Sequence, residues 1–185
     1  MTDTPDSPQP LQFGWEEWVS LPDLGVPAIK AKVDTGARTS ALHAFDIETF
    51  GPASRPKVRF TVHPIPGRDD LIIPCSAPII DRRDVTSSNG ERELRYVIAS
   101  KLSVGGDTWP IEITLTNRSS MTSRMLLGRQ ALKDHISIVA TDRFLQPELS
   151  YDVYHTARVR TAQPKRALRI AVLSRGITIP PAASS

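Results

Sequence analysis

The chain has 185 residues, 39% of them hydrophobic and 6% aromatic, with 16 prolines and a formal charge of +3. That length holds one domain with a core and tails, and no run approaches the ~18 consecutive apolar residues of a membrane span. Lys and Arg are scattered rather than massed beside stacking aromatics, which argues against a nucleic-acid surface and suits an acidic peptide partner.

In chain order, residues 1–12 are polar and read as a disordered leader. They lack the basic and apolar segments of a signal peptide. An ordered domain is expected over 13–155, starting near Phe13-Gly14-Trp15. Ile29, Ala31 and Val33 alternate with Lys30 and Lys32, and Val58, Phe60 and Val62 alternate with Arg59 and Thr61. Trp109, Ile111, Ile113 and Leu115 repeat the pattern, which describes strands with one wet face. Leu71-Ile72-Ile73, Ile79-Ile80, Tyr96-Val97-Ile98 and Met125-Leu126-Leu127 predict more deeply buried strands. Turn signals separate them at Pro66-Gly67, Ser88-Asn89-Gly90 and Gly105-Gly106. The segment 81–98 reads as a hairpin tipped by Asn89-Gly90, a pair that tolerates positive φ. A short helix is expected at 129–134. Residues 156–185 form a basic linker and C-terminal tail, with one more strand at Ala167–Leu173. The single cysteine, Cys75, is expected to be an inert, partly buried thiol, and its isolation points to a reducing cytoplasm.

The residues with a chemical rationale are Asp34-Thr35-Gly36-Ala37. The strand presents the Asp34 carboxylate at its end, Gly36 permits a tight turn with room for a neighbouring chain, and the Thr35 hydroxyl can brace the loop. When two such loops meet, their carboxylates share one proton, because like charges so close cannot both ionise. One then activates water as general base while the other polarises the scissile carbonyl. Downstream, Met125-Leu126-Leu127-Gly128-Arg129 supplies two apolar residues and a glycine ahead of the expected helix. The order strand, Asp-Thr-Gly-Ala, hairpin, apolar-apolar-Gly, helix resembles a retropepsin subunit, in which the hairpin is a flap over the substrate.

A closer resemblance lies in the run AIKAKVDTGARTSALHA at 28–44, together with Val85–Gly90, Arg95–Ile98, and Leu115-Thr116-Asn117-Arg118 leading to Met125–Arg129. These segments resemble a bacterial family that includes RimB-type proteins, encoded beside RimK-type glutamate ligases and often labelled ATP-dependent zinc proteases. The resemblance covers roughly residues 13–150. It implies a mainly β, retropepsin-like closed barrel with a flap hairpin and one short helix. It also implies an aspartic endopeptidase that trims glutamate tails added to a ribosomal protein by the ligase. The zinc and ATP labels find no support in the residues. There is no His-Glu-x-x-His pair and no phosphate loop, and His43, His63, His135 and His155 lack ligand spacing. Neither metal nor cofactor is expected.

With one Asp-Thr-Gly in the chain, a paired active site requires a homodimer, because Trp109 after Asp107-Thr108 cannot replace the glycine of a second loop. Arg38 stands beside the motif. A guanidinium there favours a charged carboxylate, or it binds an acidic substrate bidentately, with Lys30 and Lys32 adding to the patch. Ala37, Arg38, Arg82, Arg83, Arg95 and Arg129 are the candidate substrate-binding residues. The flap charges Asp81-Arg82-Arg83-Asp84 and Glu91-Arg92-Glu93 are expected to pair across strands, and His43 is expected to be structural. Two alternatives remain open: an inactive peptide-binding module regulating a glutamate ligase, and a metallopeptidase.

Overall fold

The computed structural model describes residues 10–86, 90–134 and 136–156. The expected hairpin tip at 87–89 and the strand at Ala167–Leu173 lie outside them. The first strand among the described residues is β1 (Leu11–Gly14).

The architecture is a closed barrel with two small sheets attached. Its staves are β2 (Glu16–Leu21), β3 (Val26–Asp34), β4 (Ser40–His43), β9 (Arg92–Val104), β10 (Asp107–Thr116) and β11 (Met125–Gly128). They run β10-β4-β11-β3-β2-β9, and β9 pairs back to β10 to close the circle. A β5 (Phe45–Phe50), β6 (Lys57–Val62), β7 (Ile73–Pro78) meander forms a second sheet, and β1 pairs in parallel with β12 (Ile136–Val139). β8 (Asp81–Thr86) pairs antiparallel with the first half of β9, from Asp81 opposite Val97 to Thr86 opposite Arg92.

The alternating strands are where the sequence places them, because each fills the barrel with one face. Ile29, Ala31 and Val33 of β3 and Ile111, Ile113 and Leu115 of β10 join Leu42, Ile98, Leu102, Met125 and Leu127 in one buried cluster. Burying side chains of this size stabilises by ~1.5–3 kcal/mol each, which drives closure. Two short apolar runs lie shallower than their composition suggests. Leu71 and Ile72 lie before β7 and are only half-buried, while Ile79 and Ile80 fall between β7 and β8, with Ile80 48% exposed. Pro74 and Pro78 bound that strand to Ile73–Pro78, and a run of apolar residues carries no period to show which side faces water.

One buried carboxylate fastens the outside of the barrel. Glu17 is fully buried and accepts backbone N–H bonds from Gly14 (2.7 Å), Leu145 (2.9 Å) and Gln146 (3.2 Å). These N–H groups supply the polar contacts that a buried carboxylate needs. The short helix α1 (Val153–Thr156) is docked by Tyr154, whose hydroxyl donates to the Ala28 carbonyl. The expected helix at 129–134 is instead a single 3-10 turn, Arg129–Ala131. Cys75 is buried with its thiol against the Leu24 carbonyl, and burial pushes its pKa up to about 12.

Candidate active site

Asp34 is the last residue of β3 and lies opposite Gly128 in the parallel β3–β11 pairing. β11 also pairs with β4, so it runs between the two strands that the 35–39 loop joins. The loop is therefore pinned from both sides and from behind. Arg129 N donates to Ala37 O (2.9 Å), Gln130 N to Arg38 O (3.1 Å), and Arg129 Nη1 to Gly36 O (3.1 Å). Gly128 makes the crossing possible: a Cβ there would lie 2.5 Å from Thr39 C and 2.7 Å from Thr39 O.

The carboxylate itself is oriented by the turn. Gly36 N and Ala37 N both donate to Asp34 Oδ1 at 3.1 Å. Oδ2 accepts no hydrogen bond among the described residues, so one oxygen is fixed and the other is available. Gly36 is not in the left-handed region, and its use is room: an added Cβ would sit 3.3 Å from Asp34 Oδ1. Thr35 is exposed, and its hydroxyl has no hydrogen bond among the described residues. The bracing expected of Thr35 within the chain comes from Arg129 instead.

Asp34 opens onto a cleft of about 1230 Å³ between the 34–39 loop, the β8–β9 hairpin and residues 116–121. That is larger than the ~300–1,000 Å³ typical of small-molecule sites and suits an extended peptide. Of the sequence candidates, Asp34, Gly36, Ala37, Arg38, Arg83 and Arg95 line it. Thr35, Arg82 and Arg129 do not. Arg82 stacks on Tyr96, 5.0 Å from the ring centroid, because alternate residues of β8 face opposite sides. Arg83 reaches the cleft with its donors engaged by Asp81 (2.6 Å), Glu112 (2.7 Å) and Thr39 Oγ1 (3.3 Å). It ties the hairpin base to the Asp34 loop. Lys30 is likewise occupied, its ammonium 4.8 Å from the centroid of the Trp18 ring.

Two of the hairpin ion pairs run along a strand, and Arg83 also reaches off its strand to Glu112 of β10. Arg83 meets Asp81 and Arg95 meets Glu93, each two residues away on the same face. The cross-strand neighbours are Arg83 and Arg95, two like charges, so each arginine is neutralised by an acid on its own strand.

Arg118 is a cleft residue outside the candidate set. Its backbone N donates to His43 Nδ1 (2.9 Å) and its Nε to Ser123 O (3.1 Å), while Arg124 Nη1 donates to Arg118 O (3.3 Å). Burial lowers its pKa from the usual guanidinium value; nearby Arg95 lowers it further, and Asp34 opposes. The sequence signal was the Thr116-Asn117-Arg118 run, quoted for the family resemblance but not connected with Asp34.

His43 is structural, as expected, and its setting makes stability depend on pH. Its ring is 1% exposed, and Nδ1 accepts from Arg118 N, so the neutral ring carries its proton on Nε2. Burial above all, then Arg124, His63 and Arg118, push its pKa down to about 4, with Asp69 opposing. An unfolded histidine titrates near 6.5, so between these values the unfolded state binds more protons and stability falls as the solution is acidified. Denaturant midpoints taken from about pH 7 down to about pH 4 should decline across that window, and His43→Gln should reduce the slope. An equal slope in the variant would remove His43 as the cause.

Among the described residues no three His, Cys, Asp or Glu side chains group to hold a metal ion, and no helix is long and apolar enough to cross a membrane. A family model described as "RimB-like: Retropepsin-like aspartic endopeptidase RimB" matches residues 12–149. The chain is 46% identical over 163 residues to a "probable alpha-L-glutamate ligase" of Shewanella pealeana, and 40% identical over 162 residues to a protein of that name from Desulfotalea psychrophila. Each match covers 88% of this chain but only 35% of the relative. The chain thus spans about a third of the length of these curated relatives. The crystal structure of a Legionella pneumophila protein of unknown function aligns with a TM-score of 0.60 at 26% identity, covering 73% of this chain and 97% of that one.

Proposed function

The chain belongs to the RimB-like family of retropepsin-like aspartic endopeptidases, and on that premise we propose that it hydrolyses an acidic peptide with Asp34 as its catalytic carboxylate. The observation that carries the reading is the Asp34 carboxylate at the wall of a peptide-sized cleft, with Oδ1 held by two backbone N–H groups and Oδ2 unused. A carboxylate so placed can take a proton from water as it attacks a peptide carbonyl. The second carboxylate that this chemistry needs comes from Asp34 of a second copy, meeting across the exposed Thr35-Gly36 turn. Thr35, with its free hydroxyl, is the group that would brace that junction.

The substrate class follows from the cleft arginines, whose planar guanidinium groups match carboxylates. A glutamate-tailed ribosomal protein is the substrate we favour, in a cytoplasmic setting. The relatives named as glutamate ligases support a functional link to a RimK-type ligase, whose product this chain would trim. We propose 13–155 as the working domain. Catalysis is tested by assaying glutamate-tailed peptides with wild type and Asp34→Asn. Tight binding by both without turnover by either would favour a peptide-binding module that regulates the ligase.

Pairing has its own test. Sedimentation of the active protein should show a dimer, and activity per chain should fall on dilution through the dissociation range. A strict monomer with full peptidase activity would overturn the paired site.

A further inference from the structure

The cleft as a whole is nearly balanced in charge, five arginines against four acidic side chains. Recognition of an acidic chain therefore depends on which cationic donors remain available, more than on net charge. Arg83 is bound to two carboxylates, and Arg95 holds Glu93, which also accepts from Thr116 Oγ1 at 2.8 Å. Arg38 and Arg92 are exposed, and neither side chain has a partner among the described residues to hold it in place.

Arg118 differs from the other four. It is partly buried, its backbone is tied to His43, and its Nε is tied to the Ser123 carbonyl. No carboxylate lies within ion-pair distance of it among the described residues, and neither Nη has a protein acceptor there. It is thus a guanidinium fixed at one end with its terminal donors unused, lining the same cleft as Asp34 and within electrostatic range of it. Holding a cation partly out of water without an anion is unfavourable. A planar carboxylate reaching it would form a bidentate, charge-assisted pair.

We propose that Arg118 is a specificity-determining residue whose terminal donors grip one substrate carboxylate beside the bond that Asp34 attacks. The position next to the reacting bond rests on the peptidase reading above; the grip itself does not. Two sources share this chemistry, the side chain of a glutamate and the α-carboxylate at a chain end.

The test compares glutamate peptides, isosteric glutamine peptides and C-terminally amidated glutamate peptides. A charged hydrogen bond is worth about 1.5–3 kcal/mol, so Arg118→Gln should lower the glutamate-over-glutamine ratio of kcat/KM by roughly 30-fold. Arg118→Lys keeps the charge but loses the fork, and should fall between. Sensitivity to amidation that disappears in Arg118→Gln assigns the grip to the chain end; sensitivity to glutamine replacement assigns it to a side chain. A ratio that Arg118→Gln leaves intact, or equal losses on all peptides, overturns the proposal. The same comparison is made by equilibrium binding to Asp34→Asn protein. There, glutamate preference that depends on Arg118, with no hydrolysis by wild type, would sink the peptidase reading and keep the grip, whereas hydrolysis by wild type with no such preference would do the reverse.

Discussion

Asp34→Asn should remove about 10³-fold or more of the turnover of a glutamate-tailed peptide, within the range contributed by a positioned general base. The fold should survive, for a reason visible at the turn. Oδ1 accepts from Gly36 N and Ala37 N, and an asparagine carbonyl oxygen can accept both bonds in the same place. What the amide cannot do is take a proton from attacking water. The expected result is an unchanged thermal midpoint with lost hydrolysis, measured on the same preparation. Undiminished turnover would place the chemistry elsewhere. Mixing experiments extend the result: if each site uses one Asp34 from each chain, excess Asp34→Asn protein should titrate out wild-type activity by forming inactive mixed dimers.

Gly128→Ala should be strongly destabilising. The added Cβ would meet Thr39 C at 2.5 Å, Thr39 O at 2.7 Å and Arg38 O at 2.9 Å. These are backbone atoms on the loop that carries the candidate site, so no side chain can swing aside. Overpacking of this kind costs about 3 kcal/mol at its upper range, equivalent to a midpoint roughly 6–12 °C lower for a domain of this size. Activity should fall with it, because relieving the clash moves the loop that orients Asp34. Gly36→Ala is the comparison, since its Cβ would meet only Asp34 Oδ1 at 3.3 Å. It should cost less stability and act mainly on the carboxylate. Equal midpoints for Gly128→Ala and wild type would mean that β11 does not wedge the loop as tightly as these distances require.

The strands of the barrel were readable because each pairs a wet face with a dry one. Lys30 and Lys32 flank Ala31 and Val33, and that alternation persists whatever β3 pairs with. The Asp34 turn was readable because its determinants are neighbours: a strand end, a hydroxyl and two small residues whose N–H groups reach back to the carboxylate. Errors arose where a local pattern carried no period, as at Ile79-Ile80, or where the partner was distant. Thr35 was expected to brace a loop that Arg129 braces instead, and Lys30, expected on a wet patch, lies over Trp18. The register sets Arg83 opposite Arg95, and only that placing shows why Asp81 and Glu93 answer them along their own strands.

The sequence by itself determined the element that matters most, a strand ending in a carboxylate cradled by its own turn, because every contact that makes it is local. It also determined the family, through the run at 28–44. Tertiary structure alone decided how the loop is held, since the β11 wedge and the Gly128 contact join segments with no local signal for their pairing. It decided as well which arginines remain available to a substrate. A guanidinium looks the same in any sequence, and only the placing of Asp81, Glu112 and Glu93 shows that Arg83 and Arg95 are engaged while Arg118, in the same cleft as Asp34, has its terminal donors unused.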